Sequence, residues 1–400
     1  MKNRWTGGQY AIFRALFGSY LFVHFAQLIP WVAEVFSNAG ALPDGSASPL
    51  LHLFPNLLAI ADSPAFVTGF VAAGAGLSLL FAAGLHDRWA AVGIWYVWAC
   101  LLGRNPLIAN PSIPYVGWLL LAHALLPRAR FGGWIRSGNS AGIVPWRMSA
   151  AIFGAAWVLM ALGYSYSGWT KLMSPSWQDG TALLKMLSNA LGRPGAGHDA
   201  LLGIPVGLVK ALTWGALLME LCFAPLALVR RLRPWLWASL LAMHLLLIVL
   251  VDFADLSLGM VILHLFTFDP GWIRPRFAAA PGVVYFDGGC GLCHRFVRFL
   301  LSEDPDGEAF RFAPLPGAGE TIVVTTGEGG RLTRSSAVLH VLGRLGGLWR
   351  LIAVAGRVIP AFLRDALYDA VARVRHRLFP RPEGSCPLMP PPLRARFIES

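Results

Sequence analysis

Eight apolar stretches, near 10–36, 64–84, 88–106, 112–127, 149–170, 203–228, 233–251 and 254–269, decide most of what this 400-residue chain can fold into. A helix needs about 20 apolar residues to cross roughly 30 Å of hydrocarbon, and in that solvent the backbone must satisfy its own hydrogen bonds. With 56% hydrophobic and 14% charged residues, the chain falls outside the composition of a soluble globule. The prolines of "GRNPLIANPSIP", between the third and fourth stretches, break a helix or form a re-entrant turn, so the span count is least secure over 88–127. The first stretch is longer than a signal-peptide core and has no small-residue cleavage site, which makes it a retained span.

The net charge of +12 is carried mostly by arginine. Lys2, Arg4, Arg88, Arg128, Arg130, Arg136, Arg147, Arg230, Arg231, Arg233, Arg274 and Arg276 fall in alternate connections. The other connections hold Arg104, Lys171, Lys185 and Arg193. Positive loops stay in the cytoplasm. The pattern predicts a multi-pass protein of the cytoplasmic membrane, in contact with lipid, with both termini cytoplasmic. No basic surface interleaved with aromatic residues is evident, so nucleic acid is not an expected partner.

After about residue 281 the pattern changes to a small α/β domain. "VVYF" reads as a strand, a helix starts near 290, "FRFAPL" and "TIVVTT" are strands, and "GEGG" turns into the short strand "RLTR". Helices are expected near 335–346, 348–357 and 360–378, then a proline-rich tail. The predicted organisation is an all-α polytopic membrane bundle of about eight spans (1–276) followed by a thioredoxin-like α/β domain (281–400).

Cys100, Cys222, Cys290, Cys293 and Cys386 are too few and too scattered for a secreted disulfide scaffold. In "DGGCGLCHR", Gly288 and Gly289 let the chain turn out of the strand and place Cys290 at the start of a helix. Free N–H groups and the helix dipole there favour a thiolate, Arg295 and Arg298 add positive potential, and Cys293 follows one turn on. This suits thiol–disulfide exchange, with Cys290 attacking and a buried Cys293 resolving. Asp287 is placed to cap the helix or to take a proton from the buried thiol. Two other interpretations compete: a zinc site completed by Cys386 with His294 or His376, against which the absence of a second CxxC or an HxxxH argues, and a purely structural pair, against which the strand-turn-helix position argues; no metal is expected.

"VVYFDGGCGLC", "RFVRFLL", "FRFAPL", "RSSAVLHVLGRLGGLWRL", "IPAFLRDALYDAVARVRHRLF" and a late cysteine together resemble the DCC family of thiol–disulfide oxidoreductases. The resemblance runs over most of 283–396. It implies that Asp287, Cys290 and Cys293 form the signature, and that Arg364, Asp365, Tyr368, Arg375 and Cys386 fall in a second recurrent block. No proline directly precedes "TIVVTT", where thioredoxin has the cis-proline that shapes its peptide groove. This departure argues against folded proteins as substrates.

In the membrane half, His24, Glu34, His123, Lys171, Glu220, His244 and His264 are ionisable residues in or beside apolar runs. Glu34 and Lys171 lie near span ends, where snorkelling explains them. Glu220 and His244 are flanked by apolar residues on both sides, and the expectation is that they pair across the bundle. "YSYSGWTKLMSPSWQDGTAL" resembles the Y-x-x-x-G-x-x-K-L then W-x-x-G segment of the HTTM proteins, the family of the vitamin K-dependent gamma-glutamyl carboxylases, and more loosely the DoxX proteins. That likeness covers about 5–275 and implies a base role for Lys171 in quinol oxygenation. Carboxylation itself is not expected, because the family's large lumenal domain is missing.

The expected function is thus membrane-bound thiol–disulfide oxidoreduction by Cys290 and Cys293 with Asp287. The dithiol needs no cofactor. A cytosolic thiol reductant or client protein is the expected partner, and a quinone among the spans is a possible redox partner. Lys171, Glu220 and His244 are the candidate membrane site. The alternatives are a membrane redox sensor or scaffold without turnover, and a quinol-linked enzyme with Lys171 as base.

Overall fold

The computed structural model describes residues 3–127, 146–273, 280–304, 306–315, 322–379 and 391–398. By its contacts the chain divides into two units. One comprises Phe13–Leu126 and Ser149–Phe268; the other comprises Lys2–Ile12, Pro127–Met148 and Asp269–Ser400.

The first unit is helical. Its longer helices are the part of α1 (Gly7–Leu28) from Phe13 on, α2 (Pro64–Ala83), α3 (Asp87–Arg104), α4 (Ile113–Leu125), α5 (Ala150–Leu172), α6 (Val206–Leu221), α7 (Arg233–Leu250) and α8 (Ala254–Thr267). Among the described residues, four stretches are long and apolar enough to cross a membrane: Gly7–Phe36, Pro64–Ala83, Ala150–Leu172 and Arg233–Leu250. A bent pair, Ala196–Leu202 with α6, would make a fifth. Its two helices meet at 108°, and Pro205 stands at the break, where its ring and missing N–H end a helical ladder.

The remaining stretches depart from the expectation of eight continuous spans for separate reasons. α3 carries Asp87, Arg88 and Arg104, while α4 and α8 have 13 and 14 residues. At 1.5 Å per residue, helices of that length reach only about 20 Å. The segment between α3 and α4 is a helix break, with a 3₁₀ turn at Pro106–Ile108.

Ionisable groups in this unit find partners. His24 Nδ1 lies 2.9 Å from Asp255 Oδ1, His123 Nε2 lies 3.5 Å from Asp87, and the buried Arg104 guanidinium lies 3.0 Å from Asp62. Gly168 lets α5 approach the end of α6: a Cβ there would stand 2.4 Å from the backbone nitrogen of Leu221. Backbone cannot yield as a flexible side chain can, so Gly168→Ala is expected to cost about 1–3 kcal/mol through overpacking. Thermal unfolding in detergent should show a lowered midpoint; an unchanged midpoint would mean that the two helices part freely.

The second unit is built around a four-stranded mixed sheet: β1 (Gly282–Phe286), β2 (Phe310–Pro314), β3 (Val323–Thr325) and β4 (Arg331–Thr333). The strand order is β2-β1-β3-β4, with β1 parallel to β2 and antiparallel to β3, and β3 antiparallel to β4. α9 (Gly291–Glu303) is the crossover between the parallel strands. Its buried positions Cys293, Val297, Leu300 and Leu301 recur at helical spacing and form one core with Val284, Phe310, Phe312 and Val324 of the sheet.

α10 (Arg334–Leu345), α11 (Gly347–Val358) and α12 (Ala361–Leu378) follow. The turn from α10 to α11 passes through Gly346 at φ +76°, a conformation glycine adopts without a Cβ penalty. Glu303, at the end of α9, is buried and accepts hydrogen bonds from the Thr6 hydroxyl, from Gly8 N at 2.8 Å and from Trp349 Nε1 at 2.6 Å. Burial pushes its carboxyl pKa up, and these donors oppose the shift.

Candidate functional site

The turn after β1 determines where the cysteines lie. The Asp287 side chain accepts from Gly289 N at 2.8 Å, and Cys290 N donates to Asp287 O at 3.2 Å. Asp287 therefore closes the turn ahead of the helix and does not cap the helix itself. Cys290 occupies the N-cap position in extended conformation (φ −102°, ψ 117°), and its carbonyl accepts the first helical bond, from His294 N. The His294 ring reaches back to Gly288 O at 2.9 Å.

Cys290 and Cys293 are both free thiols and belong to the core beneath the sheet. Cys290 is 0% exposed, against the expectation of an accessible attacking sulfur, and Cys293 is 3% exposed. The reason lies in the packing: the N-terminal turn of α9 is drawn into the same apolar cluster as Phe310 and Phe312. Burial first, then the adjacent Cys290 sulfur, pushes the Cys293 thiol up to about 12. The Asp287 backbone N–H and the positive Arg375 pull the other way.

Arg375 is the cation that tertiary structure brings to the site. Its Nη2 lies 3.4 Å from Asp287 Oδ2, and the residue is buried. The spacing within the CxxC motif suggested Arg295 and Arg298 for this role. Arg295 instead stacks over the Phe379 ring at 4.9 Å, and Arg298 is exposed. Of the second recurrent block, Arg364 donates to Ser336 Oγ at 3.4 Å, and Asp365 accepts from both the amide and the hydroxyl of Ser335.

Cys386 lies outside the described residues, as does the side chain of His376, and with them the zinc alternative as first drawn. Among the described residues, no three of His, Cys, Asp and Glu gather where a metal ion would sit. β3 is directly preceded by Ile322, so no proline stands at that position.

In the helical unit the expected Glu220–His244 pair does not form. Glu220, 3% exposed, forms an ion pair with Lys171, whose Nζ also lies 4.7 Å from the centre of the Trp177 ring. Lys171 follows Tyr164 and Gly168 at helical spacing, so all three share one face of α5, and Gly168 brings that face against Glu220. His244 turns to Tyr164, whose hydroxyl is 2.8 Å from His244 Nε2 and 2.7 Å from His264 Nε2. Sequence spacing could not choose between Lys171 and His244 as Glu220's partner, because each lies on a different helix.

Residues 284–381, from β1 through the cysteine pair to α12, match the family described as DCC1-like thiol-disulfide oxidoreductase. The chain belongs to that family. The "Uncharacterized protein YuxK" of Bacillus subtilis (strain 168) is 31% identical over 130 residues, covering 29% of this chain and 93% of YuxK. No solved structure matches the chain. Family membership supports a thiol–disulfide oxidoreductase function, carried by the C-terminal part.

The raised Cys293 pKa leads to a prediction that does not depend on a substrate. Followed by mass spectrometry across pH, alkylation of Cys293 should have its midpoint well above that of an ordinary thiol. In Cys290→Ser the midpoint should fall, because one source of the shift is gone, yet stay above the ordinary 9.0, because burial is the largest cause. A midpoint unmoved by the substitution would show that the two sulfurs do not interact.

Proposed function

We propose that this chain is a membrane-bound thiol–disulfide oxidoreductase whose C-terminal domain is a thioredoxin-like redox module. The observation that carries this reading is the placement of Cys290 at the N-cap of α9 with Cys293 one turn on in the same buried core, inside the family match. The strand order β2-β1-β3-β4, a parallel βαβ unit followed by a hairpin and a helix, supports the thioredoxin-like assignment.

In the proposed reaction the Cys290 thiolate attacks one sulfur of a substrate disulfide, and the other substrate sulfur leaves and takes a proton from water. Cys293 holds its proton while the neighbouring Cys290 sulfur disfavours its thiolate. Once Cys290 is in the mixed disulfide that opposition is removed, and Cys293 transfers its proton to Asp287 or water. It then attacks Cys290, which frees the second substrate thiol. Two electrons have passed from the dithiol to the substrate, leaving a Cys290–Cys293 disulfide that a cytosolic thiol reductant returns to the dithiol.

Redox titration against glutathione buffers with EDTA present, reading Cys290 and Cys293 alkylation by mass spectrometry, tests this. A single two-electron transition without zinc release is expected. Alkylation blocked until zinc leaves would replace the redox assignment with a metal site.

We further propose that the helical unit is HTTM-like and multi-pass in the cytoplasmic membrane, with both termini cytoplasmic and the shorter helices completing eight crossings. The support is the set of four long apolar helices and the shared face of Tyr164, Gly168 and Lys171. A quinone is the proposed redox partner in this unit. Supporting it is an open groove of about 760 Å³ lined by Tyr115, Leu162, Tyr166 and Trp169. Quinol reoxidation that vanishes in Lys171→Ala would favour the quinol-linked reading, with Lys171 as base. The complete burial of Cys290 favours a sensor or scaffold without turnover. Loss of partner binding on removing 281–400, with Lys171→Ala and Glu220→Ala neutral for any membrane activity, would favour that reading.

A further inference from the structure

α12 is packed inside out. Arg364, Asp365, Asp369 and Arg375 form its inward face: they engage Ser336, Ser335, Arg334 and Asp287 of the same domain. Its apolar residues face away. Leu363, Leu367, Val371 and Val374 recur at helical spacing and all are exposed, Leu367 by 68%. A helix in water normally buries that stripe.

The apolar surface continues onto α11 through Val354 and Val358, the latter 82% exposed. α11 has no acidic residue, and the exposed Arg357, Arg373 and Arg377 border the stripe. The two acidic residues of α12, Asp365 and Asp369, are engaged on its inward side.

From this we infer that the outward face of α11 and α12 docks on a lipid bilayer surface rich in anionic headgroups. An apolar stripe bordered by arginine is the pattern of a helix lying in the membrane interface, where the side chains enter the acyl boundary and the guanidinium groups meet phosphate. Charge decides against a second copy of the chain: a symmetric contact would set one arginine border against another. On the membrane-bound reading proposed above, the four long apolar helices tether the polypeptide to the bilayer, which raises the effective concentration of lipid at the face. Arg375, buried at the flank of the stripe one turn after Val371, holds Asp287 of the cysteine turn, so the helix that meets lipid is also the one that braces the redox site. The inference does not depend on turnover.

The test uses the full-length chain in nanodiscs of phosphatidylcholine with phosphatidylglycerol. Val358 or Leu367 is replaced by the photocrosslinker p-benzoylphenylalanine, with exposed Glu328 in the β3–β4 turn as control. After irradiation, intact mass should show phospholipid adducts at 358 and 367 at several-fold the yield at 328, and the yield should fall in discs of phosphatidylcholine alone. Adducts no more frequent than at 328 would overturn the inference, as would crosslinks from 358 or 367 to a second polypeptide. Equal yields in neutral and anionic discs would overturn its anionic part.

Discussion

Cys290→Ser is expected to abolish thiol–disulfide exchange, because a hydroxyl at pH 7 neither attacks a disulfide nor forms one. The complementary variant, Cys293→Ser, is expected to stop halfway and accumulate a mixed disulfide between Cys290 and substrate or glutathione. Both side chains lie in the core, where a hydroxyl without a partner costs about 1–3 kcal/mol. Cys290→Ala is therefore the control that keeps the core apolar, and the loss of exchange should be the same in it. Glutathione-disulfide reduction measured on the three variants separates the outcomes. Wild-type rates without Cys290 would end the enzymatic reading, and the sensor or scaffold reading would take its place.

Lys171→Ala is expected to destabilise the protein by about 3–5 kcal/mol, the cost of leaving one member of a buried ion pair without its counter-charge. The Glu220 side chain is only 4% exposed and Lys171's is 24% exposed, so the stranded carboxylate carries most of that penalty. The double variant Lys171→Ala/Glu220→Gln should recover most of the loss, since it removes the charge along with its partner. Equilibrium unfolding in detergent, compared with quinol reoxidation in the same preparations, distinguishes bracing from chemistry. Single and double variants that unfold alike would show that the stranded carboxylate carries no penalty of its own. A double variant restored in stability but silent with quinol would point to Lys171 as a base.

How much of this was legible beforehand depended on the range of the interaction. The cysteine turn was readable because its determinants lie within about ten residues: strand, two glycines, and cysteines one helical turn apart. The apolar stretches were readable for a similar reason, since length and hydropathy are local. Long-range pairing was not. Glu220 and His244 looked like partners because both sit in apolar sequence, but three helices offered candidates and the close approach at Gly168 selected Lys171. Arg375 is 88 residues from Asp287, and only the placement of α12 against the N-terminal turn of α9 makes it the site's cation. Glu303 gave no signal at all, because its donors at Thr6, Gly8 and Trp349 come from both ends of the chain.

By itself, then, the sequence determined that this chain carries membrane-length apolar helices and a CxxC pair at the start of a helix, because hydropathy, glycine turns and helical spacing act between neighbours. Tertiary structure decided that Cys290 is buried along with Cys293, which charges brace them, and which face of α12 is left apolar and outward. Those outcomes follow from which surfaces pack first: a helix whose polar side meets serines, an arginine and an aspartate of its own domain has only its apolar side to present to whatever lies outside.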